Sequence, residues 1–454
     1  MRLGHCLYGA SIGVLVSSLG FASDRGGGET RIARWPLGKS GAVSLTYDDG
    51  SINQFRVAVP IMNGLGFPAT FFIITGDLPG SRYRGLFIGR SAEAIIQETA
   101  ERPTDKDNFF ERASAIGHLG YDGTLAYHVR AGELYEDGKL DEANRALDEA
   151  YAKVRAGDFK PAAGSSGFEG ARDSVTWDEL KMLAAQGHEI ASHSVTHPRL
   201  AVLDEPNLAY ELEGSRDEIL EHLGPKHTFS VECPYGTEDP RAVERALARY
   251  PASRNRMPEA FLEELNRSSD SDPRASRKEY VQWQRGPLTK TPMVLMKSWI
   301  DTVAADDNIW LVLVFHGIDG IGWEPRTGAE LREYLQYVKG KEDRLWVATF
   351  QDVTKYMRER EHADVRASRR GNAIEVTLSH DLDGRLYDLP LTLETTLPAD
   401  WSSIEVRQGT RSLPSEVSRD QGSRRVIYQA LPNAEPVTLA PKRKGTPTQG
   451  ASGR

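Results

Sequence analysis

The run Trp310-Leu311-Val312-Leu313-Val314-Phe315 contains no polar residue. A strand that is apolar on both faces has to be covered on both faces. The surrounding chain repeats a strand–helix rhythm. Residues 42–47, 69–74, 188–192, 228–232 and 345–349 read as strands, and 51–65, 177–186, 208–223, 241–250, 327–338 and 350–360 as helices. That alternation predicts a parallel sheet with helices packed on it, either a barrel or a doubly wound fold. The passage between 251 and 309 reads as irregular and charged.

Two stretches break the rhythm. Residues 80–172 are polar and helix-prone, and Gly132 to Ala143 resembles one tetratricopeptide-type helix pair. A single pair cannot bury its own apolar face, so this reads as an inserted helical hairpin, either shaping one side of a cleft or simply decorating the surface. From 364 to 441 the period changes to alternation with turn residues, as in Ala373-Ile374-Glu375-Val376, which predicts a small, sandwich-like all-β module. Residues 442–454 read as a disordered tail. At the other end, Arg2, an apolar run from Leu7 to Leu19 and Gly20-Phe21-Ala22 predict a signal peptide over 1–22, with an uncleaved anchor as the alternative. The strand–helix unit expected over 30–362 would then be secreted or periplasmic. No later segment approaches the roughly 18 apolar residues of a membrane span. Cys6 leaves with the signal, so Cys233 stands alone and no intramolecular disulfide is expected. A net charge of -9 with both signs interspersed gives no reason to expect a nucleic-acid partner.

Polar clusters sit where the strands end. Asp48-Asp49-Gly50 follows 42–47, and two unpaired carboxylates buried there would need a cation. His193 and His197 follow 188–192; four residues apart, they reach one metal if the segment turns helically. Cys233-Pro234-Tyr235-Gly236 follows 228–232, and His316-Gly317 follows the most apolar strand. The C-terminal ends of parallel strands are where barrel enzymes build their sites.

Thr46-Tyr47-Asp48-Asp49-Gly50, His193-Ser194-Val195-Thr196-His197, Pro234-Tyr235-Gly236 and Leu313-Val314-Phe315-His316 together resemble, in order, the motifs of NodB-type polysaccharide deacetylases, the family 4 carbohydrate esterases. The resemblance covers roughly 38–362 outside the insertion. It implies a distorted (β/α) barrel, commonly of seven strands, and metal-dependent hydrolysis of N- or O-acetyl groups from a polysaccharide or oligosaccharide. It also implies Asp48 as general base, Asp49, His193 and His197 as metal ligands, His316 as general acid and the Tyr235 backbone N–H as an oxyanion donor. Zinc suits the mixed nitrogen and oxygen ligand set; nickel, cobalt and manganese also fit. A non-catalytic glycan-binding protein on the same scaffold is the alternative.

The chain departs from the family pattern in two places. Where many members carry an arginine that braces the catalytic aspartate, this chain has Glu232, which would work against Asp48 by like-charge repulsion. Either Glu232 points away or another cation compensates, and Arg254, on an expected strand end, is the candidate. The family's partner for the acid histidine is not evident. Cys233 reads as a buried filler, and Trp323 as either a sugar-stacking rim residue or a core residue. No G-x-S-x-G elbow supports a serine esterase.

Overall fold

A computed structural model describes residues 28–162, 174–420 and 423–442. The expected signal peptide, 1–22, lies outside these residues, as does the expected tail beyond Lys442. No helix among the described residues is long and apolar enough to cross a membrane.

Nine parallel strands form one sheet. In space they run Ala252–Ser253, Ser230–Val231, Glu189–Ser192, Thr70–Ile73, Gly41–Tyr47, Ile309–Phe315, Tyr280–Arg285 and Leu262–Leu265, with Leu345–Val347 beside the first half of Gly41–Tyr47. The central pair sets Ala42 opposite Trp310 and Tyr47 opposite Phe315, so the strand ends carrying Asp48 and His316 lie side by side.

The sheet curls into a partial barrel, and Arg254 shows how far. It follows the edge strand Ala252–Ser253, yet its carbonyl accepts bonds from Gln282 (3.3 Å) and Gln284 (2.7 Å), on the strand next to the opposite edge. Strands spaced ~4.8 Å apart would put these residues roughly 30 Å from each other in a flat sheet. Alternation along the strands sorts the core. Ala42, Trp310, Val312 and Val314 face the concave side with Phe72, where Phe350, Val353 and Met357 of helix Phe350–His362 cover them. Val43, Leu45, Leu311 and Leu313 face outward against helices Val59–Leu65, Met293–Ala305 and Gly328–Lys339.

Several expectations need correction. The passage 251–309 is ordered: it holds strands Leu262–Leu265 and Tyr280–Arg285 and helix Met293–Ala305. Glu264, Gln282 and Gln284 hide the strand signal, because these strands turn those polar side chains inward to serve Arg254 and its neighbours rather than an apolar core. The curled parallel sheet fits the distorted barrel that the resemblance implies, with nine strands, two of them only two residues long. The insertion is more than a hairpin. Thr124–Glu136 and Leu140–Ala156 form the expected pair, and Ala92–Glu98 and Phe109–Ile116 complete a small core around Ile95, Phe109, Ile116, Leu147 and Tyr151.

The C-terminal residues form two antiparallel sheets, as the alternation predicts, but one of them borrows an N-terminal strand. Thr30–Ile32 pairs with Leu391–Thr396, Thr30 opposite Thr395, so the parallel sheet does not take in residue 30 and begins at Gly41. The Tyr356 hydroxyl, on the helix covering the barrel, donates to the Ala33 carbonyl (2.9 Å), which ties the β module to the barrel.

Candidate active site

Asp48 and Thr46 share the concave face of the central strand, two residues apart. The next residue, Asp49, turns the chain with a φ of 72°. Ser194 (66°), His197 (62°) and Tyr235 (63°) are also left-handed. Each such non-glycine residue costs on the order of 1 kcal/mol or more, and strain of this kind gathers where surroundings force a functional geometry.

The histidine segment does not turn helically, contrary to expectation. It is a loop built around Glu211, a buried carboxylate on helix Glu205–Leu223. Glu211 accepts the Val195 and Thr196 N–H groups at 2.9 and 2.8 Å and the Thr196 hydroxyl at 2.6 Å. The Ser194 hydroxyl accepts the His197 N–H at 3.0 Å. These bonds, not helical periodicity, bring both imidazoles to Asp49. Asp49 Oδ1 lies 3.7 Å from His193 Nε2 and 3.3 Å from His197 Nε2, and ligand atoms of the three residues all lie within 4.8 Å of one another. The His193 Nδ1–H donates to the Glu232 carbonyl at 2.9 Å, which leaves Nε2 as the lone-pair nitrogen facing the triad. Burial holds this imidazole near a pKa of about 4, hence neutral. One carboxylate and two such imidazoles, brought together by strained backbone, fit a divalent cation.

Arg254 is completely buried and saturated. It forks onto Asp48, Nη1 to Oδ1 at 2.7 Å and Nη2 to Oδ2 at 2.6 Å, and Nη1 also donates to Thr46 Oγ1 at 2.7 Å. Its Nε donates to Glu232 Oε2 at 2.9 Å, and its guanidinium lies 4.7 Å from the Phe72 ring centre. Glu232 therefore points at the same guanidinium rather than away. Burial opposes the charge on Asp48, but Arg254 and then His316 hold the carboxyl well below the usual range. For Glu232 burial wins, with Asp48 adding to it, and the pKa is raised.

His316 Nε2 stands 3.4 Å from Asp48 Oδ2, and burial lowers its pKa to about 4. Its Nδ1 is buried without a hydrogen-bond partner among the described residues. Trp323 packs edge-on against the ring at 4.6 Å while remaining half exposed at the cavity mouth. Gln54, in a π-turn that replaces the expected regular helix start, donates to both the Asp48 and His316 carbonyls, at 2.5 and 2.8 Å. Cys233 is buried, its thiol pushed up by burial.

Asp48, Asp49, His193, His197, Tyr235 and His316 line one cavity of about 420 Å³. Arg254 lies beneath it. Two further features were not legible in the sequence. Arg199 also lines the cavity, 4.6 Å from the Tyr235 ring centre, and the insertion grips it: Glu136 at 2.5 Å, Glu133 at 3.2 Å, and His128 Nε2 accepting its N–H at 2.9 Å. The insertion thus reaches the reacting end of the barrel. Gly132, on helix Thr124–Glu136, leaves the space this arginine occupies; a Cβ there would run into its side chain. Gly132→Ala should therefore lower stability by about 1–3 kcal/mol through overpacking. An unchanged Tm in calorimetry would remove the clamp from this account. The other feature is Arg267, which lines the same cavity.

Residues 139–251 match the family model for polysaccharide deacetylase. That span contains His193, His197 and Tyr235, while Asp48, Asp49 and His316 fall outside it. Among curated proteins, the chain is similar to a gellan lyase of Bacillus sp, 25% identical over 284 residues, or 60% of this chain. The chain spans only 11% of that relative's length. Among solved structures, it is similar to the Xyl-CE4 domain of a multidomain xylanase from the hindgut metagenome of Trinervitermes trinervoides, at 12% identity. That alignment covers 70% of this chain and 90% of the other, with a TM-score of 0.31. A family 4 carbohydrate esterase from Streptomyces lividans aligns at 10% identity, covering 70% and 95% of the two chains, with a TM-score of 0.31.

Proposed function

We propose that this chain, which carries a polysaccharide deacetylase domain, hydrolyses N- or O-linked acetyl groups of a polysaccharide or oligosaccharide outside the cytoplasm, using a divalent cation at Asp49, His193 and His197. The observation that carries the reading is a convergence. Three ligand atoms within 4.8 Å of one another share a cavity with a carboxylate and an imidazole that stand 3.4 Å apart.

A divalent cation in that triad, zinc or one of its first-row neighbours, supplies Lewis acidity toward the acetyl carbonyl and toward water. The rest falls to the chain's own side chains. Asp48, kept charged by Arg254, takes a proton from the attacking water. The Tyr235 N–H donates to the oxyanion as the carbonyl carbon becomes tetrahedral, a role typically worth about 3 kcal/mol. The proton taken by Asp48 crosses the 3.4 Å gap to His316, which is neutral at rest, and His316 delivers it to the departing amine or alkoxide as the C–N or C–O bond breaks, so one turnover restores both groups. Trp323, edge-on to His316, limits water around the acid and offers the sugar a flat apolar face.

An acetate-release screen over chitin oligomers, peptidoglycan and acetylated xylan, with added zinc, nickel or cobalt, tests the reading. Metal-dependent acetate from at least one polymer is expected. Stoichiometric metal with no acetate from any of them would favour a glycan-binding role instead.

A further inference from the structure

Three arginines stand at the reacting centre, and two have carboxylate partners. Arg254 is bound by Asp48 and Glu232, and Arg199 by Glu133 and Glu136. Arg267 makes no hydrogen bond or ion pair with any described residue, although it lines the same 420 Å³ cavity and is partly buried. It follows strand Leu262–Leu265, and its guanidinium rests against Gly236: a Cβ there would sit 3.0 Å from Nη2, and the φ of +71° further favours glycine. It shares that cavity wall with His193, His316 and Glu232, so it stands close to the reacting groups.

A partly buried guanidinium without an ion pair to any described residue faces two imidazoles and the cation triad, and Glu232, a carboxylate whose charge it feels, is already held by Arg254. A ligand that brings negative oxygens supplies a partner. The oxyanion already has the Tyr235 N–H assigned to it. Arg267 is also shared with an adjoining chamber of about 200 Å³, whose wall includes the side-chain amides of Asn255, Asn266 and Gln284 and the carboxylates of Glu232 and Glu238. Asn255 and Asn266 donate to those two carboxylates, so Arg267 is the wall group left to receive an anionic substituent, while the surrounding polar atoms suit sugar hydroxyls.

We propose that the substrate is an acidic glycan, and that Arg267 is the specificity residue that donates to a carboxylate or sulfate on the acetylated sugar or on its neighbour. The proposal takes the reaction from the deacetylase reading above and takes the substrate's charge from Arg267 alone.

Calorimetric binding to the full chain, with non-acetylated trigalacturonate, its methyl ester, chitotriose and a sulfated oligosaccharide as probes, tests the charge without requiring turnover. The wild type should bind an anionic probe about tenfold or more tighter than the methyl ester or chitotriose. The advantage should shrink as salt rises. Arg267→Gln should abolish that advantage and leave neutral binding unchanged, and Arg267→Lys should keep part of it. A stronger signal from the sulfated probe identifies sulfate as the anion, and one from trigalacturonate identifies a uronate. Equal binding of charged and neutral probes, or a preference that survives Arg267→Gln, overturns the proposal. Acetate release separates the two claims: equal turnover of acetylated pectin and acetylated xylan overturns the acidic-glycan proposal alone. Arg267-dependent binding with no acetate from any polymer overturns only the deacetylase reading.

Discussion

Arg254→Ala should reduce kcat by about 100-fold or more while metal content stays at the wild-type level. The guanidinium is the counter-charge for two buried carboxylates, Asp48 and Glu232, with contacts of 2.6 to 2.9 Å to each. Without it, like charges face each other in a site that excludes water, the Asp48 pKa rises, and its capacity as a base at neutral pH falls. Breaking a buried ion cluster from one side also costs about 3–5 kcal/mol of stability, so a lower Tm should accompany the loss. Two further variants separate the electrostatic effect from general damage. Glu232→Gln in the Arg254→Ala background removes one of the opposed charges and should recover part of both losses. Arg254→Lys keeps the charge but lacks the fork that spans Asp48 and Glu232, so its kcat should fall between wild type and alanine. Near-normal turnover in Arg254→Ala would show that Asp48 does not depend on this arginine.

His193→Ala should empty the ligand set, and with it the activity. His193 is the most deeply buried of the three proposed ligands, with its Nδ1–H on the Glu232 carbonyl and its Nε2 turned to Asp49. Losing an outer-shell partner typically weakens metal binding by roughly 10–100-fold, and losing a ligand should weaken it further. Dialysed protein analysed for zinc should then hold well under one equivalent. Acetate release should fall with it and should not return at the zinc concentrations that saturate wild type. His316→Ala is the contrasting case: metal retained, turnover down by about 10²–10⁴-fold. If both variants kept metal equally well, Asp49 and His197 would suffice without His193, and the triad would need revision.

Much of the site was legible because the features that reveal it are local. An apolar strand shows in consecutive residues, and a polar cluster at its end shows in the next two or three, so Asp48, Asp49, His193, His197, Tyr235 and His316 could be singled out from short windows. Arg254 is legible only through the resemblance, because Glu232 stands where many family members carry an arginine, and through its own place on an expected strand end. Glu211, Gln54 and Arg199 gave no such signal. Each has an ordinary helical or loop context, and each acts through a bond to a backbone or ring that folding brings to it. The two polar strands, Leu262–Leu265 and Tyr280–Arg285, are illegible for a related reason: periodicity reads burial against apolar neighbours, and these bury amides and a carboxylate against Arg254 and its loop.

The sequence by itself determined which segments are strands with two buried faces, where those strands end, and which donors and acids stand at the ends. Chain order does not carry the pairing of those ends. Arg254 meets Asp48 across 206 positions, and Thr30 meets Thr395 across 365, because the curl of the sheet and its strand order bring them together. Local periodicity is set by each residue's own preference for water or protein, whereas partnership between distant charges is set by the geometry of closure, and only the folded chain supplies that.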